Sequence, residues 1–159
     1  MAATPATAVL DAAGVSYRLH SYDHDPANTN YGAEASAALG IDPDQMFKTL
    51  VIDIGATRSE LAVAVVPVSG QLGLKQFAAE LGAKRAALAE AGLVTRTTGY
   101  ILGGVSPLGQ KVALPTLIDE TAELWDTIFV SAGRRGMDIE LAPADLARLT
   151  GARFADLAR

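Results

Sequence analysis

A glycine-rich stretch is the feature of this 159-residue sequence best suited to chemistry. Residues 98–111 hold four glycines and one proline, with Gly103 and Gly104 adjacent. Glycine lets a ligand approach the main chain closely, and Pro107 stiffens the loop. Peptide N–H groups exposed in this way can bind an anion or polarise a carbonyl. The alternative is a tight turn between two elements, which is the commoner use of a glycine pair.

Lys48 lies near the start of a strongly β-prone segment, residues 47–54. One interpretation is that it marks the edge of a sheet, where lysine discourages pairing with another chain. The other is that its ammonium lies in a pocket and delivers a point charge to a phosphate or carboxylate. Position in the sequence leaves both interpretations open.

The remaining polar candidates carry weaker signals. His20 and His24 have no third ligand at metal-binding spacing and no nucleophile motif beside them, so we predict structural roles for both. Asp44, Asp138 and Glu140 are candidates for a carboxylate pair, although Asp138, soon after a glycine, is predicted to be a turn or strand-edge residue. The sequence therefore offers backbone amides and one lysine, with no recognisable nucleophile.

Composition narrows the class of protein. Half of the residues are hydrophobic and 19% are charged, which predicts one folded domain over residues 1–159 with a sizeable core. The absence of cysteine excludes disulfides, thiolate nucleophiles and zinc–thiolate sites. A net charge of -5 argues against autonomous, tight binding of nucleic acid, and two basic groups, at 75–85 and 134–135, are interpreted as solvated. No secretory signal or membrane span is apparent, so a cytoplasmic protein is expected.

Periodicity and caps predict an α+β arrangement of the elements that position these residues. Predicted helices cover residues 4–13, 31–39, 75–81, 85–91 and 143–149, each with a glycine within the next two residues. Predicted strands cover residues 15–22, 47–54, 61–67, 114–118, 127–131 and 137–141, with Pro115 at a sheet edge. The segments 47–54 and 61–67 are predicted to form a hairpin.

Nine segments of the sequence match, in order, segments of a known family. They are residues 23–26, 42–45, 47–50, 61–65, 69–72, 98–100, 103–111, 118–119 and 138–141. By these segments the chain resembles the YbaK/EbsC family over residues 4–158. The resemblance implies a curved, mixed sheet of about six strands flanked by helices.

The resemblance also implies an activity, which is hydrolysis of the ester that joins a wrong amino acid to the 3′ end of tRNA. The implied substrate is Cys-tRNA(Pro), whose own thiol attacks the ester carbonyl. Such editing has a physical purpose, because a pocket for proline cannot reject cysteine or alanine strongly by packing alone. Two alternatives stay open: a deacylase of Ala-tRNA or another small aminoacyl-tRNA that positions a water, and a non-catalytic tRNA- or nucleotide-binding module.

Site residues follow from matching the family's segments to this chain. The resemblance implies catalytic roles for Lys48, Gly103 and Gly104. The implied substrate-binding residues are Tyr22, Tyr31, Thr49, Ser106, Pro107, Ser131, Gly133 and Asp138. No metal or cofactor is expected, nor a membrane; the expected partners are tRNA(Pro) and prolyl-tRNA synthetase.

Overall fold

Residues 3–159, which are the residues that the computed structural model describes, form five α-helices and eight strands. The α-helices are α1 (Pro5–Ala13), α2 (Tyr31–Leu39), α3 (Leu74–Glu80), α4 (Ala91–Thr98) and α5 (Pro143–Thr150). The strands are β1 (Tyr17–Ser21), β2 (Phe47–Asp53), β3 (Leu61–Pro67), β4 (Ala87–Leu88), β5 (Thr116–Asp119), β6 (Ile128–Arg134), β7 (Met137–Leu141) and β8 (Arg153–Ala155). A 3₁₀ helix, Glu120–Leu124, follows β5.

The strands form two sheets. The larger has the order β4-β2-β3-β5-β8, antiparallel from β4 to β3 and parallel from β3 to β8. The smaller, β1-β7-β6, is antiparallel. A parallel bridge between Met46 and Phe129 joins them just before β2. The α+β class and the mixed sheet are confirmed, but the described residues form eight strands in two sheets rather than about six in one. Strands as short as β4 and β8 are too brief to show an alternating pattern.

The central strand β3 is buried over its whole length. Val63 and Val65 pack into the main core with α1, α5 and the smaller sheet. Ala62, Ala64 and Val66 pack on the opposite face against Phe77 of α3 and its neighbours. A strand covered on both faces reads as a continuous apolar run, which is why residues 61–67 were recognisable in the sequence.

Local signals located several element boundaries correctly. Thr4 caps α1 by accepting a hydrogen bond from the Thr7 N–H at 3.2 Å, and Gly14 ends that helix with φ +67°. Helix α2 occupies the predicted residues and ends at Gly40. The predicted hairpin is present as β2 and β3, which pair from Phe47 with Pro67 onward.

Two predictions were wrong in the middle of the chain. Residues 85–91, expected to be helical, contain β4 instead, and the helix begins at Ala91, because the Glu90 carboxylate accepts hydrogen bonds from the N–H groups of Gly92 and Leu93. Pro115 is not in an edge strand: it precedes β5, an interior strand, and its carbonyl accepts a hydrogen bond from Val63. None of the helices found within residues 3–159 is long and apolar enough to cross a membrane.

Candidate active site

A cleft of about 280 Å³ lies where β2, the start of α2, the glycine-rich loop and the smaller sheet meet. Seven of the sequence-predicted site residues line it: Tyr22, Tyr31, Lys48, Thr49, Gly103, Ser131 and Asp138. The fold therefore gathers side chains that are up to 116 positions apart in sequence. Its apolar walls, which include Met46, Phe47, Leu102 and Val105, carried no individual signal in the sequence.

Lys48 combines the two interpretations of its position. It is the second residue of β2, where it pairs with Val66 of β3. On the other side of β2, β4 reaches only Ile52 and Asp53, so the start of the strand borders the cleft. Burial lowers the pKa of the Lys48 ammonium, and no carboxylate of residues 3–159 lies within 4.0 Å of it. A half-buried cation of this kind is available to an anionic or polar ligand.

Thr49 supplies a hydroxyl that is buried against the cleft. Its Oγ1 has no hydrogen-bond partner among the residues that the structure describes. A buried polar atom without a partner costs about 1–3 kcal/mol. Thr49 therefore leaves an unpaired polar atom in the wall of the cleft.

Asp138 is the buried carboxyl group of the site. It lies on β7, the middle strand of the smaller sheet, opposite His20 of β1 and Ser131 of β6. The prediction of a turn or strand-edge residue was wrong. Only 6% of Asp138 is exposed, and burial raises the pKa of its carboxyl to about 7. Both its protonated and its ionised form are therefore present at neutral pH, which suits a group that carries a proton.

Tyr22 follows β1 at the edge of the cleft. Its N–H donates a hydrogen bond to the Gly136 carbonyl at 2.9 Å, which attaches it to the turn between β6 and β7. Burial, together with the nearby Asp138 carboxylate, raises the pKa of the Tyr22 hydroxyl. Tyr22 is thus a neutral hydrogen-bonding group beside the acid.

The two adjacent glycines of the loop have different surroundings. Gly103 has φ +84°, and a Cβ there would lie 2.6 Å from the Tyr31 ring, so only glycine lets the ring pack on this backbone. Gly103 lines the cleft, and its N–H has no acceptor among residues 3–159. The N–H of Gly104 instead donates to the Ile101 carbonyl at 2.9 Å, and its Cα faces Arg134 away from the cleft lining. Of the two glycines, only Gly103 has an N–H without an acceptor in the described part of the chain.

Three other predicted site residues lie outside the cleft lining. The buried Ser106 hydroxyl accepts a hydrogen bond from the Leu108 N–H at 3.2 Å, and the neighbouring Pro107 is also buried. Gly133 donates its N–H to the Ser131 hydroxyl at 3.1 Å, in the β-bulge of β6. These contacts hold the loop and the bulge that form the walls of the cleft.

Each histidine pairs with a glutamate outside the lining of the cleft. His20 Nε2 lies 3.0 Å from a Glu140 carboxylate oxygen, and His24 Nδ1 lies 2.6 Å from one of Glu34. Two hydrogen bonds to the Glu34 carboxylate hold its pKa below the usual range. The bond from the Asp25 N–H has the larger effect, and the bond from His24 has the smaller one. Within residues 3–159, no three acidic, histidine or cysteine side chains are grouped closely enough to hold a metal ion.

A family model for aminoacyl-tRNA editing domains matches residues 24–149 of the chain. The chain belongs to this family. As an aminoacyl-tRNA editing domain, the protein is an enzyme that acts on aminoacyl-tRNA. The matched segment contains every predicted site residue except Tyr22. The resemblance seen in the sequence is thereby confirmed at the level of the family.

Relatives of this editing domain extend the comparison. The chain is 40% identical to the Enterococcus faecalis protein EbsC, which is named as a Cys-tRNA(Pro)/Cys-tRNA(Cys) deacylase, over 86% of this chain and 82% of that protein. A solved structure described as a trans-editing enzyme for prolyl tRNA synthetase superposes with a TM-score of 0.81 at 25% identity, over 100% of this chain and 99% of that one. A second solved structure, of a protein described as hypothetical, superposes with a TM-score of 0.85 at 26% identity. This match covers 98% of this chain and 100% of that one.

Proposed function

We propose that this editing domain removes cysteine from mischarged Cys-tRNA(Pro), with residues 1–159 acting as one domain. The proposal rests on three groups that line one small cleft. They are Lys48, which has no carboxylate partner within residues 3–159, the buried carboxyl of Asp138 and the free N–H of Gly103. The name of EbsC, to which the chain is 40% identical, supports the choice of amino acid. A cleft of about 280 Å³ is small for a ligand site, which favours a small aminoacyl group.

The nucleophile in this proposal is the thiol of the cysteinyl group. The protein has no cysteine, and neither histidine lines the cleft, so Ser131 has no histidine base there. The substrate sulfur forms a bond to its own carbonyl carbon, and the ester bond to the ribose oxygen breaks. The thiol proton leaves the sulfur and a proton is delivered to the ribose oxygen, which gives a thiolactone and free tRNA. Water then opens the thiolactone to cysteine.

Three cleft residues fit the steps of this reaction. Asp138, with a pKa of about 7, accepts the thiol proton and returns a proton to the departing ribose oxygen. The Gly103 N–H donates to the carbonyl oxygen as negative charge develops there. Lys48 contacts the terminal adenosine and holds the ester in place. The Gly104 amide is not assigned a role, because it is already bonded to Ile101.

Selection of tRNA(Pro) is proposed to come from association with prolyl-tRNA synthetase in the cytoplasm. The chain carries a net charge of -5, whereas affinity for tRNA depends on lysine and arginine at the phosphates. A relative in structure is described as a trans-editing enzyme for that synthetase, which supports the same partner here. The isolated protein is expected to hydrolyse Cys-tRNA(Pro) and Cys-tRNA(Cys) alike at physiological salt, and preference for one of them by the isolated protein would contradict this point.

The test of the function compares deacylation of Cys-tRNA(Pro), Ala-tRNA(Pro) and Ser-tRNA(Pro) by the purified protein. Serine is the matched control, because it differs from cysteine in the nucleophilic atom. Rapid loss of cysteine alone is expected. Equal loss of alanine and serine would indicate a positioned water instead of the thiol, and binding of tRNA without loss of any amino acid would indicate a binding module.

A further inference from the structure

Arg135 lies at the mouth of the cleft, in the turn between β6 and β7. Its guanidinium carbon is 4.8 Å from the centroid of the Tyr31 ring, a cation–π geometry. Its Nε–H donates a hydrogen bond to the Leu102 carbonyl at 2.9 Å. Tyr31 and Leu102 both line the cleft, where the Tyr31 ring packs on the loop at Gly103. Arg135 therefore contacts both α2 and the glycine-rich loop beside the cleft.

These two contacts leave the outer edge of the guanidinium unused. The Nη1 and Nη2 groups make no hydrogen bond to residues 3–159, and no carboxylate of those residues lies within 4.0 Å. The side chain is exposed, so these N–H groups face solvent beside the cleft. An exposed arginine ordinarily makes few contacts, whereas this one is contacted by both the ring and the carbonyl. In a protein of net charge -5, it places a positive charge beside the cleft.

We infer that Arg135 binds the phosphodiester that precedes the terminal adenosine of the tRNA, and so positions the ester in the cleft. The inference rests on the proposed function, in which the 3′ end of the tRNA enters this cleft. Two parallel N–H groups match two phosphate oxygens, which gives a bidentate, charge-assisted contact. A backbone contact reads no base, and this suits a 3′ end that every tRNA shares.

Arg135 is consequently a positioning residue, whereas Lys48 and Asp138 lie deeper, in the cleft lining. Arg134 provides a matched control. It is the adjacent arginine, it is exposed, and its side chain makes no hydrogen bond within the described part of the chain. Replacing either arginine with alanine changes the net charge equally. Of these two side chains, that of Arg135 makes the contacts with Tyr31 and Leu102.

The test measures binding of two probes, the trinucleotide CpCpA and free adenosine, by calorimetry or NMR titration. Arg135→Ala is expected to weaken CpCpA binding roughly tenfold and to reduce the salt dependence of that binding by about one phosphate contact. Arg134→Ala is expected to resemble the wild type. Arg135→Lys keeps the charge but loses the paired N–H groups, so an intermediate affinity is expected. Adenosine, which lacks a phosphate, is expected to bind all four proteins equally.

Two results would overturn the inference. Equal CpCpA affinity in the Arg135→Ala variant and the wild type would show that no phosphate is bound there. Equal loss of adenosine and CpCpA binding would show that Arg135 acts on the shape of the cleft through Tyr31. Deacylation of Cys-tRNA(Pro), measured in parallel, separates the two proposals: a wild type that binds CpCpA through Arg135 but releases no cysteine would refute the proposed function and leave the phosphate contact standing.

Discussion

The buried carboxyl of Asp138 should make the stability of this protein depend on pH in a way that one substitution removes. Burial raises its pKa from 3.8 to about 7, so the folded protein retains a proton that the unfolded chain releases between these values. The stabilising contribution of the buried, protonated acid is fully present below pH 3.8. This contribution is lost progressively as the pH rises to about 7, because over this range the unfolded chain releases the proton while the folded protein keeps it.

The magnitude follows from the size of this change. A pKa difference of about 3 corresponds to about 4 kcal/mol in the free energy of unfolding. Asp138→Asn removes the ionisation and keeps a side chain of nearly the same shape. Wild type and variant should be similarly stable at pH 4, and the variant should be more stable by about 4 kcal/mol at pH 8.

Urea unfolding of both proteins at several values between pH 4 and pH 8 measures this difference directly. Asp44→Asn removes an exposed carboxyl and reports the general effect of lowering the negative charge. The reasoning would be refuted if the difference between Asp138→Asn and the wild type stayed constant across this range. If Asp138 carries the proton in the reaction, the more stable variant should also lose deacylase activity by about 10²–10⁴-fold.

Three further substitutions test the cleft. Lys48→Ala should abolish deacylation while changing the free energy of unfolding little, as measured by urea unfolding. Activity within twofold of the wild type would contradict the role of Lys48. Gly103→Ala places a Cβ against the Tyr31 ring at a φ of +84°, so deacylation should fall sharply. Gly40→Ala is the control, because Gly40 has a similar φ of +66° but open space around it. This control should lose only about 1–2 kcal/mol of folding stability, from backbone strain. Thr49→Val removes the unpartnered hydroxyl, so it should leave stability equal or higher and raise KM; an unchanged KM would show that the hydroxyl binds no substrate.

The sequence by itself determined the features that depend on neighbouring residues. Thr4, Gly14 and Gly40 act within one helical turn, so the ends of α1 and α2 were predictable. The β2–β3 hairpin was predictable because each strand has its own apolar run. The family was recognisable for a similar reason, since its segments are short, ordered strings such as residues 103–111.

Which predicted residues meet in the cleft was decided by the tertiary structure. Gly103 and Gly104 are equivalent in the sequence, but the packing of Tyr31 on one and the turn bond of the other give only Gly103 a free amide. In the sequence, Arg135 was interpreted as a solvated arginine, because its contacts with Tyr31 and Leu102 depend on the fold.

Asp138 shows the physical reason most directly. Its strand was predictable from local alternation, but its place in the middle of a sheet depends on β1 and β6, which come from distant parts of the chain. Exclusion of water by those neighbours raises the pKa of its carboxyl to about 7. Caps and periodicity are properties of a few adjacent residues, whereas burial and the chemistry that it creates belong to surfaces that only the folded chain brings together.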